Sequence, residues 1–247
     1  MRIAALYDIH GNLPALDAVL AEVEGEGVDL VVVGGDIVWG PMPQRVLERL
    51  DALDNVTFIR GNADREVAGF EGPSEGDFEE ITAWVRSALS EEQAAWLGGL
   101  PDTFATEVTG MGEVLFCHGS PRSDDEAITP LSPVERLEDA LSGVGQPTVV
   151  CGHTHMQFRR TVAGREIVNA GSVGLPYQGA RGAYWLLLGP HIELRRTDYD
   201  VEATVRAMRA TDCPHVDEVF VANLLEPPEA EATARHFEGS EATISRP

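Results

Sequence analysis

Residues 3–12 read Ile-Ala-Ala-Leu-Tyr-Asp-Ile-His-Gly-Asn. The apolar run Ile3–Tyr7 has the length of a short buried strand. Asp8 and His10 follow where that run ends. In extended chain, residues two apart point to one side, so these two side chains can reach one metal together. Leu13, Leu16, Val19, Leu20 and Val23 then recur at helical spacing. The pattern repeats further along. Leu30–Val33, rich in β-branched residues, ends in Gly34-Gly35-Asp36. Pro43 suits the first turn of a helix carrying Val46, Leu47, Leu50 and Leu53. Val56–Ile59 reads as a third strand and leads to Gly61-Asn62. This β-α-β-α-β order predicts an α/β protein with a mainly parallel sheet and right-handed crossovers.

Residues 69–77 are rich in Gly, Glu and Pro and read as a loop. Phe78, Ile81, Trp84, Val85 and Leu89 predict a helix, and Ser90 with Gln93 resembles a capping box for another. This insertion either lines a substrate cleft or covers the sheet. Val114–Phe116 and Thr148–Val150 are further strands, with a helix start at Ser132, Pro133 and Glu135 between them. Residues 166–169, 183–188 and 191–197 read as late strands. Gly189-Pro190 predicts a tight antiparallel connection between the last two. From Asp200 the pattern turns helical. The tail after Leu225 is Glu/Ala-rich, with a frayed end expected. The expectation is a single domain over 1–247, with a motif-bearing core at 1–198 and a helical extension at 199–247.

Lys and Arg number 18 against 41 Asp and Glu, a net charge of −23. An acidic surface repels polyanions, which argues against long nucleic acid as a partner. Apolar residues make up 43% of the chain, enough for a substantial core. Cys117, Cys151 and Cys213 are too few and too scattered for a disulfide framework, and this points to a reducing, cytoplasmic setting. Met1 and Arg2 lead straight into the first strand, so no signal peptide is expected. No apolar run approaches the roughly 18 residues that span a bilayer.

Five strand ends carry a candidate ligand. Asp8 and His10 follow the first, Asp36 the second and Asn62 the third. His118 follows Val114–Cys117, and His153 and His155 follow Thr148–Cys151. The carboxyl ends of parallel strands are where α/β sheets bind ligands. Taken singly, each residue has a bland reading as a turn, cap or surface residue. Those readings do not explain why every one follows an apolar run. Mixed carboxylate, amide and imidazole donors suit borderline ions such as Mn²⁺, Fe²⁺, Co²⁺, Ni²⁺ or Zn²⁺. Seven donors exceed what one tetrahedral ion uses and suit two ions. Cys117 and Cys151 read as small buried apolar residues rather than ligands.

Asp8-x-His10, Gly35-Asp36, Gly61-Asn62, His118 and Gly152-His153-x-His155 together resemble the ordered motifs of the calcineurin-like metallophosphoesterases. The resemblance runs from about residue 3 to 175. Asp8-Ile-His-Gly-Asn12 and Asn169-Ala-Gly-Ser-Val-Gly174 resemble a small bacterial and archaeal branch. The fold implied is a four-layer α/β/β/α sandwich, in which two mixed β-sheets are flanked by helices. By position, the resemblance implies that Asp8, His10, Asp36 and His155 hold one divalent ion. Asp36, Asn62, His118 and His153 would hold the other, with Asp36 bridging and Mn²⁺ foremost among the candidates. It also implies hydrolysis of a phosphodiester or activated phosphomonoester, by a metal-bound hydroxide held through Asp36, Asn62 and His118.

One position departs from the family. Where many members carry a His after the Asn, this chain has Ala63, then Asp64. Alanine cannot donate a proton. Asp64 either substitutes as the acid or pairs with Arg60 or Arg65. Asn12 either contacts the phosphate or caps the helix that follows, and Arg60 is a second candidate for substrate contact. The expected partner is a small phosphoester, a nucleotide among the candidates. The other functional classes are a catalytically weak scaffold of the same fold and a protein phosphatase.

Overall fold

The computed structural model describes residues 1–69 and 76–244. Strand β1 (Ile3–Leu6) serves two cores at once. Ala4 and Leu6 point to a core shared with helices. Ile3, Ala5 and the following Tyr7 point to a second core between two sheets. That alternation is the period of two of a pleated strand, and it is why the run is apolar throughout.

β1 pairs in parallel with β2 (Leu30–Val33), and β2 with β3 (Val56–Phe58). The crossovers run through α1 (Leu13–Gly25) and α2 (Pro43–Asp51). After β3 come α3 (Asn62–Ala68), α4 (Asp77–Ala88) and α5 (Glu91–Gly98). Ser90 and Gln93 form the expected reciprocal capping box at the start of α5. The chain then enters a second sheet through β4 (Thr103–Val108), β5 (Gly112–Cys117), α6 (Val134–Ala140) and β6 (Thr148–Cys151). It continues with β7 (Gln157–Val162) and β8 (Arg165–Ala170), and returns to the first sheet with β9 (Ala183–Leu188) and β10 (Ile192–Thr197).

The strand orders are β10-β9-β1-β2-β3 and β4-β5-β6-β8-β7. Both sheets are mixed, with a parallel centre and antiparallel pairs at β1–β9, β9–β10, β4–β5 and β7–β8. Their facing sides enclose Tyr7, Phe116, Val150 and Leu186. Helices cover the outer side of each sheet, giving the four-layer sandwich.

Three elements lacked a legible pattern. β4 and β7 are edge strands in which polar residues interrupt the apolar ones and only Val108 of β4 and Phe158 and Val162 of β7 are buried, so they carry no apolar run. α3 is only seven residues long and begins on a candidate ligand. The insertion covers the sheet through Ile81, Val85 and Leu97, and it also reaches the site, because Phe78 stacks on Trp39. Most of the loop expected at 69–77, and the chain end at 245–247, lie outside the described residues.

The C-terminal extension contributes to both outer layers. α7 (Val201–Arg209), a π-helical segment (Val216–Val221) and α8 (Ala222–Leu225) bury Val205, Met208, Phe220 and Leu224 with the first sheet's helices. α9 (Ala230–Ile244) instead packs Ala234 near Leu137 of α6, against the second sheet. Glu238 on α9 accepts hydrogen bonds from Thr129, Ser132 and Arg136.

Candidate metal centre

β1, β2, β3, β5 and β6 end at the same edge of the sandwich, so the residues after them converge. Asp8 Oδ1 lies 3.3 Å from His155 Nε2 and 3.8 Å from His118 Nε2. Asp36 lies between two imidazoles, with Oδ2 3.7 Å from His10 Nε2 and Oδ1 3.4 Å from His118 Nε2. His10 and His155 bring their Nε2 atoms to 3.1 Å. Asn62 Oδ1 lies 3.1 Å from His118 Nε2, and the His153 ring is 5.4 Å from the His118 ring. Asp8, His10, Asp36 and His155 form the tightest group, with one donor atom of each within 4.8 Å of the others.

The backbone is bent to make this convergence. Asp8, His10, Asp36, His153 and His155 all have φ between 47° and 65°. Left-handed backbone in a non-glycine residue costs on the order of 1 kcal/mol. Among the described residues, only Ala163 and His215 share it outside this set. Strain concentrated on the candidate ligands marks a site, not a packing accident. Each sharp turn swings a side chain off its strand and over the sheet edge.

Neighbouring backbone fixes the rings. Nδ1 of His10 faces the Trp39 carbonyl at 3.0 Å, that of His118 the Gly34 carbonyl at 2.8 Å, and that of His155 the Leu175 carbonyl at 2.7 Å. An Nδ1–H donated to a carbonyl leaves the Nε2 lone pair pointing into the centre, which is the arrangement of metal-ligating histidine. Asp8 Oδ2 accepts from the His153 amide, and Asp36 Oδ1 from the Ala63 amide. Asp8 Oδ1 is fully buried and has no hydrogen-bond partner. A buried carboxylate oxygen left in that state is costly unless a cation meets it. The donor set therefore fits a divalent ion.

The electrostatics agree. Burial pushes the Asp36 carboxyl up, but His118 and then His10 and His153 overcome it and hold it far below the usual range. Burial likewise opposes ionisation of Asp8, and His155 and His118 reverse it. Burial lowers His118, yet Asp36 and Asp8 raise it to about 10. Burial lowers His10 to about 4 with help from His155, and lowers His153 to about 4 with help from His118. Without a metal, the centre balances its carboxylates with an imidazolium.

Asp64 pairs with neither arginine and does not face the centre as a donor. Its Oδ1 accepts from the Ile37 amide at 2.9 Å and its Oδ2 from the Gly61 amide at 3.1 Å. It ties the loop after β2 to the start of α3, fixing Asp36 against Asn62. Arg65 is engaged instead by Asp124 and Glu66. Arg60 is held by the Gly98 carbonyl and Asp102 beside α5, so its guanidinium is not presented for substrate contact. Asn12 takes the capping role. It accepts from the Ala15 amide and donates to the Gly174 carbonyl and the Tyr199 hydroxyl. Cys117 and Cys151 are buried thiols whose ionisation burial suppresses.

Three contributors had no signal in the sequence. Trp39 meets His10 edge-on at 5.5 Å. Tyr177 stacks on His155 at 4.5 Å with planes 25° apart. Phe237, from the far C-terminal helix, approaches His153 at 6.0 Å. Apolar residues are placed by distant packing, which no local pattern announces.

A curated protein of Methanocaldococcus jannaschii, described only as uncharacterized, is 28% identical over 225 residues, covering 81% of this chain and 88% of its own. The crystal structure of a hypothetical protein from Pyrococcus horikoshii superposes with a TM-score of 0.80 at 22% identity, covering 93% of this chain and 99% of that one. A metallophosphoesterase from Sphaerobacter thermophilus superposes with a TM-score of 0.72 at 27% identity, covering 92% of this chain and 98% of that one. Residues 1–188 match the model of the calcineurin-like phosphoesterase superfamily domain. The chain belongs to the calcineurin-like phosphoesterase superfamily.

Proposed function

We propose that this protein hydrolyses phosphodiesters or activated phosphomonoesters at a centre of two divalent cations, with Mn²⁺ the first candidate. The observation that carries this reading is the convergence of Asp36 with six other candidate ligands, with the buried Asp8 Oδ1 left without a hydrogen-bond partner. Asp8, His10, Asp36 and His155 would hold one ion. Asp36, Asn62, His118 and His153 would hold the other. When bound, such ions supply Lewis-acid stabilisation of phosphoryl charge and acidify a water molecule at neutral pH.

The chain's own residues do the rest. Asp36 spans the two ligand groups, with its oxygens 3.7 Å and 3.4 Å from His10 and His118. The carbonyls of Trp39, Gly34 and Leu175 hold three rings in their working tautomers. Ala63 offers no proton, and both Asp64 oxygens are bonded to backbone amides. Good leaving groups are therefore favoured, which is the basis for preferring activated esters. The three free cysteines, all buried, suit a reducing, cytoplasmic setting.

Ala63 is also the feature that favours a second reading, a scaffold that binds metal without turnover. Release of nitrophenol from bis-p-nitrophenyl phosphate, with Mn²⁺ and with chelator, separates the two. Mn²⁺-dependent turnover supports the enzyme. Metal binding without turnover supports the scaffold.

A further inference from the structure

Three of the four candidate histidine ligands have a ring nitrogen set against a backbone carbonyl: Trp39 for His10, Gly34 for His118 and Leu175 for His155. His153 differs. Its amide donates to Asp8 Oδ2, but among the described residues no carbonyl or side chain meets either nitrogen of its ring. The ring has aromatic neighbours instead, His118 at 5.4 Å and Phe237 at 6.0 Å. The outer torsion of a histidine side chain is broad, so a ligand ring without a hydrogen-bonded partner turns unless packing stops it.

Phe237 meets His153 because both are anchored to one short segment. Ala230, Ala234 and Phe237 share a face of α9 and pack on the outer core of the second sheet. Next to Phe237, Glu238 accepts from Thr129 Oγ1 at 2.6 Å, Ser132 Oγ at 2.7 Å and Arg136 Nη2 at 2.8 Å. Next to His153, Thr154 Oγ1 donates to the Ile128 carbonyl at 3.1 Å. Residues 128–132 therefore brace the turn that carries His153 and the helix that carries Phe237. Thr129 and Ser132 are buried, which shields the brace from water, and bonds to an ionised carboxylate are the stronger kind.

We infer that Phe237 is a positioning residue of the metal centre: α9 holds the His153 ring by packing, where backbone carbonyls hold the other three, and Glu238 latches α9 in place. The inference deepens the two-cation reading and rests on it for the consequence at the second ion, which His153 would help to hold. Partners that orient metal ligands are typically worth about 10–100-fold in metal affinity. A packing contact is less directional than a hydrogen bond, so the lower end is expected here.

The test uses the full chain in two states. In chelated protein, NMR contacts between the His153 and His118 rings read orientation without any metal. Phe237→Ala should weaken those contacts, Phe237→Leu should restore them by keeping bulk, and Glu238→Gln should weaken them by releasing α9. Arg235→Ala, on the exposed face of α9, should leave them unchanged. Calorimetric titration with Mn²⁺ then reads the ions, and Phe237→Ala should weaken one of them about 10-fold while the other keeps its affinity. The role is overturned if the His153–His118 contacts persist in Phe237→Ala, if both affinities fall together as general loosening would make them, or if neither falls. If Phe237→Ala fails to fold, Glu238→Gln decides by the same two readings. A wild type that binds fewer than two Mn²⁺ ions, yet loses the ring contacts on Phe237→Ala, sustains the positioning role and counts against the two-cation reading alone.

Discussion

His118 Nε2 lies 3.4 Å from Asp36 Oδ1, and each group holds the other in its charged form. This pair is the electrostatic hinge of the metal-free centre, and it sets how the apoprotein responds to pH. His118 rises from an ordinary 6.5 to about 10 on folding. Asp64 rises from 3.8 to about 7, through burial and then the nearby Asp36 charge. A raised folded pKa means the folded chain holds a proton that the unfolded chain has lost. The stability so gained is complete below the unfolded value and disappears as pH climbs through the folded one. The Asp64 contribution is spent by about pH 7, so above neutrality the further loss is carried by His118. The chelated protein is expected to lose thermal stability steadily between pH 6.5 and 8.5, before thiols ionise. Melting by circular dichroism in EDTA checks this, and a midpoint that stays level or climbs over that interval contradicts it.

Loading with metal should reverse that trend. Ligands must be deprotonated to bind, so affinity grows with pH. Asp36→Asn removes the charge that spans both ligand groups while keeping the side chain's shape. The expected outcome is loss of bound metal and of phosphoesterase activity together, with the far-ultraviolet spectrum unchanged. Metal analysis should fall from near two ions per chain toward none. Two ions and wild-type turnover in the variant would remove Asp36 from the bridging position.

In the proposed hydrolysis, Ala63 would leave the departing oxygen without a proton donor. Positioned general acids are typically worth about 10²–10⁴-fold, so rates should fall steeply as leaving-group pKa rises. Ala63→His is expected to improve alkyl esters more than nitrophenyl esters, provided the ring fits at this buried position. The measured quantity is the ratio of the two rates in each protein. A wild type that already cleaves alkyl esters as readily as nitrophenyl esters has another donor, and the buried Asp64 would be the first tested, by Asp64→Asn.

Gly174 tests the backbone behind the ligands. A Cβ at this position would sit 1.8 Å from the Ile9 carbonyl oxygen, and Ile9 lies between Asp8 and His10. The Gly174 amide also donates to the Asp8 carbonyl. Gly174→Ala must push this turn outward, at a cost of about 3 kcal/mol, the upper range for overpacking. For a chain of this size that is a melting shift of roughly 6–12 °C. Calorimetry reads the shift, and metal affinity should fall with it. An unchanged midpoint would show that the loop yields freely.

The alternation of apolar runs with helical spacing in residues 3–59 was enough to place β1, β2, β3, α1 and α2. A buried parallel strand must be apolar on both faces, and a covering helix on one. The ligands were legible for a related reason. Asp8, Asp36, Asn62, His118, His153 and His155 interrupt chain that is otherwise apolar, and a polar residue at the end of a buried strand needs an explanation. The edge strands β4 and β7 and the short helix α3 left no such mark, because exposed residues answer to no periodicity.

What Asp64, Arg60 and Asn12 do could not be read locally. Each has the chemistry to touch a substrate. Only the folded chain shows that backbone amides occupy Asp64, that Gly98 and Asp102 hold Arg60, and that Asn12 closes a helix end. The wall that faces the centre was likewise decided by tertiary structure. Phe237 stands 84 positions from His153 in sequence, and its ring comes to 6.0 Å only because α9 packs back against the second sheet. Sequence determines which chemistry a strand end can offer, since that depends on residue type and short-range geometry. Which side chains remain free to use it depends on partners far away in the chain, and only packing brings those together.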